Sequence, residues 1–107
     1  MNIEDLSEFA VTFLLTGQGT ARQLAVRLAE RLPRSPPLEV AFLISIAASG
    51  IEETFASPEM AQLALESWRA AALLGVDLRM MQQRGLPCAS CADLLAYWHR
   101  VDGFFLS

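Results

Sequence analysis

One segment of the sequence shows helical periodicity with a clear start and a clear end. Thr20 and Gln23 have the spacing of a capping box, in which each side chain bonds the backbone of the other residue. Pro33 then prevents the helix from continuing. Between these signals the apolar residues recur every three or four positions: Ala21, Leu24, Ala25, Leu28, Ala29 and Leu32. The segment is therefore predicted to be an amphipathic helix that needs other elements to cover its apolar face.

Similar signals divide the rest of the chain into four more predicted helices. The first helix runs from about Ile3 to Thr16 and ends at Gly17. The third helix has Ser35 as N-cap and Pro36 at its first position, and it continues to about Phe55. The fourth helix runs from Ser57–Pro58 to Arg84, is closed by Gly85, and can bend or divide at Gly75. The fifth helix is capped by Ser90 and lies between Pro87 and about Val101. Strand and hairpin signals are poor. We expect a single all-α domain over residues 1–107, a bundle or orthogonal array of about five helices.

Two of the helices have apolar patterns that predict where they pack. Every residue from Val40 to Ala48 except Ser45 is apolar, which is typical of a central helix buried on all sides. The fourth helix carries a stripe that is predicted to face the core: Leu63, Ala64, Trp68, Ala71, Leu74 and Leu78.

The apolar content is higher than so small a globule needs. Hydrophobic residues make up 53% of the 107 residues, above the ~45–50% usual for soluble domains, while a chain of this size buries only about 65% of its surface. The C-terminal run Phe104, Phe105 and Leu106 stands at a position that is normally exposed. We therefore predict a homodimer whose interface uses these three residues and the Ala/Leu faces of the fourth helix.

Charge and hydropathy argue against two classes of partner. The net charge is −4 and the sequence contains no lysine, so nucleic-acid binding, which needs an excess of cations, is not expected. The longest apolar stretch, residues 38–51, is shorter than the ~20 residues that span a bilayer. Glu4, Asp5 and Glu8 stand where a secretory signal has positive charge. We expect a cytoplasmic protein with no membrane span.

Cys88-Ala-Ser-Cys91 is the one recognisable chemical motif. A Cys-x-x-Cys pair at a helix start suits a reversible disulfide, since the helix dipole and free N–H groups stabilise a thiolate. The alternative is that both thiols are small structural residues. His99, the single histidine, lies eight residues after Cys91, about 12 Å along a helix, and completes no ligand set with the pair. No metal site and no cofactor are predicted.

Arg27, Arg31 and Arg34 stand at helical spacing and give a basic face, which is either solvated or a docking surface for an acidic protein partner. The segments from Thr20 and from Leu38 also have the order of a helix-turn-helix. A recognition helix, however, needs polar side chains for the base edges, and Val40-Ala41-Phe42-Leu43-Ile44 supplies none.

Three functional hypotheses follow. The first is a non-enzymatic interaction or regulatory module that self-associates through apolar helix faces and the C-terminal aromatic residues. The alternative is a thiol-based redox or sensing protein that uses Cys88 and Cys91. DNA binding is the minor third.

Overall fold

The computed structural model describes residues 2–107 and shows an all-α protein, which confirms the predicted fold class. The five α-helices are α1 (Ile3–Leu15), α2 (Ala21–Arg31), α3 (Leu38–Thr54), α4 (Pro58–Gln83) and α5 (Cys91–Arg100), followed by a 3-10 turn at Phe104–Leu106. No strand occurs within residues 2–107. Over the same residues, no helix combines the length and the apolarity that crossing a bilayer requires.

Four helices begin at side-chain caps. The Asn2 carboxamide oxygen accepts from the Asp5 N–H before α1, and the Ser57 hydroxyl accepts from the Met60 N–H before α4. Reciprocal capping boxes precede α2 at Thr20 and α5 at Ser90, as the sequence predicts. These caps satisfy N–H groups that have no partner inside the helix.

α3 starts later than the sequence predicts. Its first residue is Leu38, and Pro37 rather than Ser35 precedes it, with no side-chain cap. The reason is a long-range contact: the Ser35 carbonyl accepts from the Cys91 N–H at 2.8 Å, and the Pro33 carbonyl accepts from the Ala92 N–H at 3.0 Å. The turn between α2 and α3 is therefore used to hold the start of α5.

α4 is continuous over 26 residues and does not break at Gly75. It ends before Gly85, whose φ of +68° lies in the left-handed region that glycine adopts without strain. Gly17 follows α1 with a φ of +67°, and α1 likewise ends before this left-handed glycine. Both predicted glycine stops are confirmed.

α2 is the helix that every other element touches. It contacts α1, α3, α4, α5 and the C-terminal turn, and its inner face is fully or almost fully buried: Ala21, Leu24, Ala25, Leu28 and Ala29. α3 packs mainly on α4 and α1. The prediction that α3 is buried on all sides is wrong, because its outer face is open and leaves Leu38 and Phe42 more than half exposed.

Candidate interaction surfaces

α4 has two apolar faces. Its buried face consists of Ala64, Ser67, Ala70, Leu74, Asp77, Leu78 and Met81. A second row follows the solvent side at spacings of four, three, four and four: Ala61, Leu65, Trp68, Ala72 and Val76, all of them exposed. At 3.6 residues per turn the centres of the two faces lie about 160° apart. We call the second row the α4 outer stripe.

Trp68 was predicted to face the core, and that prediction is wrong. The residue is 40% exposed, because Ser67, Ala70 and Asp77 occupy the inner side instead. Its indole Nε1 donates to the Glu52 carboxylate of α3 at 2.8 Å. This bond orients the indole, which lies in the middle of the stripe. Tryptophan is enriched among the few residues that carry most of the binding energy of protein interfaces.

A smaller apolar patch lies on the outer side of α3. Leu38 and Phe42 are one helical turn apart and are 63% and 52% exposed. α3 and α4 pack against each other more extensively than any other pair of helices. The molecule therefore presents apolar side chains on the outer sides of two neighbouring helices.

The C-terminal aromatic residues separate into one core residue and two surface residues. Phe105 is buried and stacks on Trp98, with ring centroids 4.4 Å apart and planes 16° apart. The prediction that Phe105 lies in a dimer interface is corrected by this packing, since the chain itself covers the ring. Phe104 and Leu106 stay exposed, at 48% and 39%.

Phe104 forms one wall of a groove. The guanidinium of Arg22 lies 4.5 Å from the centroid of the Phe104 ring, and its NH1 donates to the Phe104 carbonyl at 3.0 Å. The groove holds about 300 Å³ and is lined by residues of α2, α4 and the C-terminal turn, among them Leu73 and Arg69. It borders α4 on the flank beside the outer stripe.

The three predicted arginines do not share one helix. Arg27 and Arg31 are exposed and lie one turn apart on α2, whereas Arg34 lies beyond the end of α2, in the turn before α3. The guanidinium of Arg31 lies 4.0 Å from the centroid of the Phe9 ring. This cation–π contact of Arg31 is within the chain. The acidic-partner surface remains a prediction.

The cysteine pair lies at the start of α5, as predicted, but the N–H groups there are already bonded. The N–H groups of Cys91 and Ala92 donate to the α2–α3 turn, and that of Asp93 donates to the Ser90 hydroxyl. Cys91 is fully buried, and this burial, with a smaller contribution from the Glu39 charge, raises the pKa of its thiol to about 11. Both thiols are free, and Cys88 is half-buried. This geometry disfavours a thiolate at Cys91, whereas redox cysteines need one.

Sequence reasoning missed a buried carboxyl group. Asp77 of α4 is almost fully buried, and its Oδ2 accepts from Trp98 Nε1 at 2.8 Å. Burial raises the pKa of Asp77, the bond from Trp98 lowers it, and the nearby Asp102 charge raises it again. The only sequence signal is an acidic residue one position before Leu78 in an apolar helix. The carboxyl bonds α4 to α5 and does not line the groove beside Phe104.

His99 is exposed near the end of α5. Over residues 2–107, no three histidine, cysteine, aspartate or glutamate side chains come together in a group that could hold a metal ion. No family model, curated protein or solved structure matches the chain. The function is therefore inferred from the surfaces themselves.

Proposed function

We propose that this protein is a non-enzymatic helical interaction module that self-associates through the α4 outer stripe. The observation that carries the proposal is the second apolar face of α4, opposite to the face that builds the core. Single exposed apolar side chains are normal in monomers, whereas apolar side chains grouped on one face are typical of a binding surface.

The chemistry of the titratable groups supports a binding role over catalysis. Asp77 and Cys91 have shifted pKa values, and both make contacts that hold α5 against its neighbours. Neither is among the residues that line the groove beside Phe104. A perturbed titratable group marks a catalytic site when it lies in a cleft, and that condition is not met by these two.

A second copy of the chain is the partner that the composition favours. The chain has more apolar residues than its own interior uses, and Leu65, Trp68 and Val76 are 41%, 40% and 55% exposed. The side chains of the row itself are neutral and apolar, and the nearest charge, the exposed Glu52 carboxylate, is already bonded to Trp68 Nε1. A homodimer is also the commonest assembly for a soluble chain.

The test is sedimentation equilibrium at micromolar concentration with two matched substitutions. Val76→Glu puts a charge on the stripe, and Val101→Glu puts the same charge on a residue of α5's end that is 49% exposed. We expect the wild type and Val101→Glu to sediment at twice 11.7 kDa. Val76→Glu is expected to dissociate roughly 100-fold more readily, about 2.7 kcal/mol, because the interface would have to bury an unpaired carboxylate.

Two results would contradict the proposal. A wild type that stays monomeric up to the highest soluble concentration removes self-association. A dimer that is disrupted by Val101→Glu and not by Val76→Glu places the interface on another surface. Circular dichroism of both variants checks that the helices remain intact.

A further inference from the structure

We infer that two copies pair their α4 helices antiparallel, with the two-fold axis level with Ala70. This inference rests on the proposed self-association and adds its geometry. In this register Trp68 packs on the partner's Ala72, and Leu65 packs on the partner's Gly75.

The order of side-chain sizes along α4 supports the antiparallel register. Positions 61, 65, 68, 72, 75 and 79 have the alternating four- and three-residue spacing of a helix seam. The first four hold residues of the outer stripe, the last two are Gly75 and Arg79, and Val76 of the stripe lies at the flank. Along this seam the two large residues, Leu65 and Trp68, precede the two small ones, Ala72 and Gly75. Antiparallel pairing about Ala70 places each large side chain against a small residue, which lets the helices interdigitate closely.

Parallel pairing has the opposite result. Each residue then faces its own copy, so that Trp68 meets Trp68 of the partner subunit while the partner's Gly75 faces Gly75. The contact between the two Trp68 side chains is overfilled, and the contact between the two Gly75 residues leaves a void. Both faults weaken the packing. Arg79 would also face the partner's Arg79 at the end of the seam, whereas antiparallel pairing places it at the level of Ala61.

Neither Gly75 nor Gly50, the other glycine inside a helix, is required by a contact within the chain, and only Gly75 lies on the seam. It lies inside a long helix, where glycine is unfavourable relative to alanine. A Cβ atom built on Gly75 meets no atom within 4 Å, and its φ is not in the left-handed region, so neither a close contact nor the backbone requires glycine. Beside it Val76 is 55% exposed. A partner side chain seated on Gly75 supplies a reason for the missing side chain.

The flanking charges are compatible with this arrangement. Arg69 lies at the edge of the seam near the axis, so it approaches the partner's Arg69, with Glu66 one turn away on each chain. This edge therefore carries two positive and two negative charges and is solvent-exposed and screened by salt. The Glu52 carboxylate of each chain, bonded to Trp68 Nε1, adds one exposed negative charge per chain beside the seam.

Disulfide trapping with single engineered cysteines distinguishes the registers. Cys88→Ser serves as the background, and the fully buried Cys91 is kept. Ala61→Cys and Arg79→Cys are made in separate chains, mixed and oxidised. They lie equally far on either side of Ala70, about 27 Å apart along one helix. We expect a cross-linked dimer from the mixture and none from either variant alone. Ala61→Cys mixed with Arg100→Cys, an exposed position on α5, is the control and is expected to stay unlinked.

Each other outcome overturns the inference. Cross-linking of Ala61→Cys with itself shows parallel pairing. No cross-link in any sample, while the unoxidised variants sediment as dimers, shows that α4 does not pair in this register, and the proposed self-association survives. A monomeric wild type contradicts both the antiparallel register and the proposed self-association.

Discussion

The bond between Asp77 and Trp98 gives the sharpest prediction about stability. The carboxylate of Asp77 is the acceptor for Trp98 Nε1 at 2.8 Å, and both residues are buried. Asp77→Ala removes the acceptor and leaves a buried N–H without a partner, which costs about 1–3 kcal/mol. Asp77→Asn keeps an acceptor oxygen and removes only the charge. We therefore expect Asp77→Ala to unfold more easily than Asp77→Asn by about 1–3 kcal/mol.

The comparison of Asp77→Asn with the wild type predicts a pH dependence. Because the folded-state pKa of Asp77 is raised above 3.8, the unfolded chain loses this proton at a lower pH than the folded chain does. As the pH rises above 3.8, the wild type loses stability until the folded carboxyl has also ionised. Asp77→Asn has no such proton. The free energy of unfolding of Asp77→Asn minus that of the wild type should therefore be larger at pH 7 than at pH 4.

Urea unfolding followed by circular dichroism measures both effects. The experiments use one protein concentration throughout, since the proposed dimerisation would stabilise the folded state by mass action. Equal stabilities for Asp77→Ala and Asp77→Asn would show that the Trp98 bond contributes nothing. A difference between Asp77→Asn and the wild type that is the same at pH 4 and pH 7, or smaller at pH 7, would refute the raised pKa. Asp102→Asn is expected to reduce the pH dependence, because Asp102 raises the pKa of Asp77.

Two further predictions concern α5 and the C-terminal turn. In the folded protein at pH 8, alkylation is expected at Cys88 only. Cys91 is fully buried, and a thiol pKa near 11 rather than 9.0 leaves about 100-fold less thiolate. Mass spectrometry should find both thiols modified in urea, and equal alkylation rates in the folded protein would revive the redox hypothesis. Phe105→Ala is expected to lower the free energy of unfolding by about 3–5 kcal/mol, because the ring is buried on Trp98. Phe104→Ala, at an exposed position, should lower it much less in the same urea titration. Similar decreases for the two variants would contradict the described packing.

The sequence predicts the helices best where the signals are local. The capping box of α2, the Ser90 cap of α5 and the end of α4 at Gly85 each depend on residues a few positions apart. The start of α3 depends instead on the Ser35 carbonyl, which is bonded to Cys91, 56 residues away. No local pattern contains that contact, so the sequence favours Ser35 as a cap and the folded chain uses its carbonyl for α5.

The orientation of α4 could not be predicted from periodicity alone. A helix with apolar residues on both sides fits more than one assignment of its inner face. The stripe predicted to face the core includes Trp68, whereas the observed inner face includes Ser67 and Asp77. Both polar groups are satisfied, Ser67 by the Leu63 carbonyl at 2.8 Å and Asp77 by Trp98. Their burial depends on hydrogen bonds that hydrophobicity patterns do not register.

The apolar surplus of the sequence now has a location. Some exposed apolar residues, such as Ile3, Leu15 and Phe55, lie at helix ends and share no row with others. The α4 outer stripe differs because its members repeat along one helix and one of them, Trp68, is held in place by Glu52. Because α4 also supplies a face of the core, one helix would serve both folding and association. A substitution on the stripe should then weaken the dimer and leave the core intact, whereas a substitution at Leu74 or Met81 should affect both.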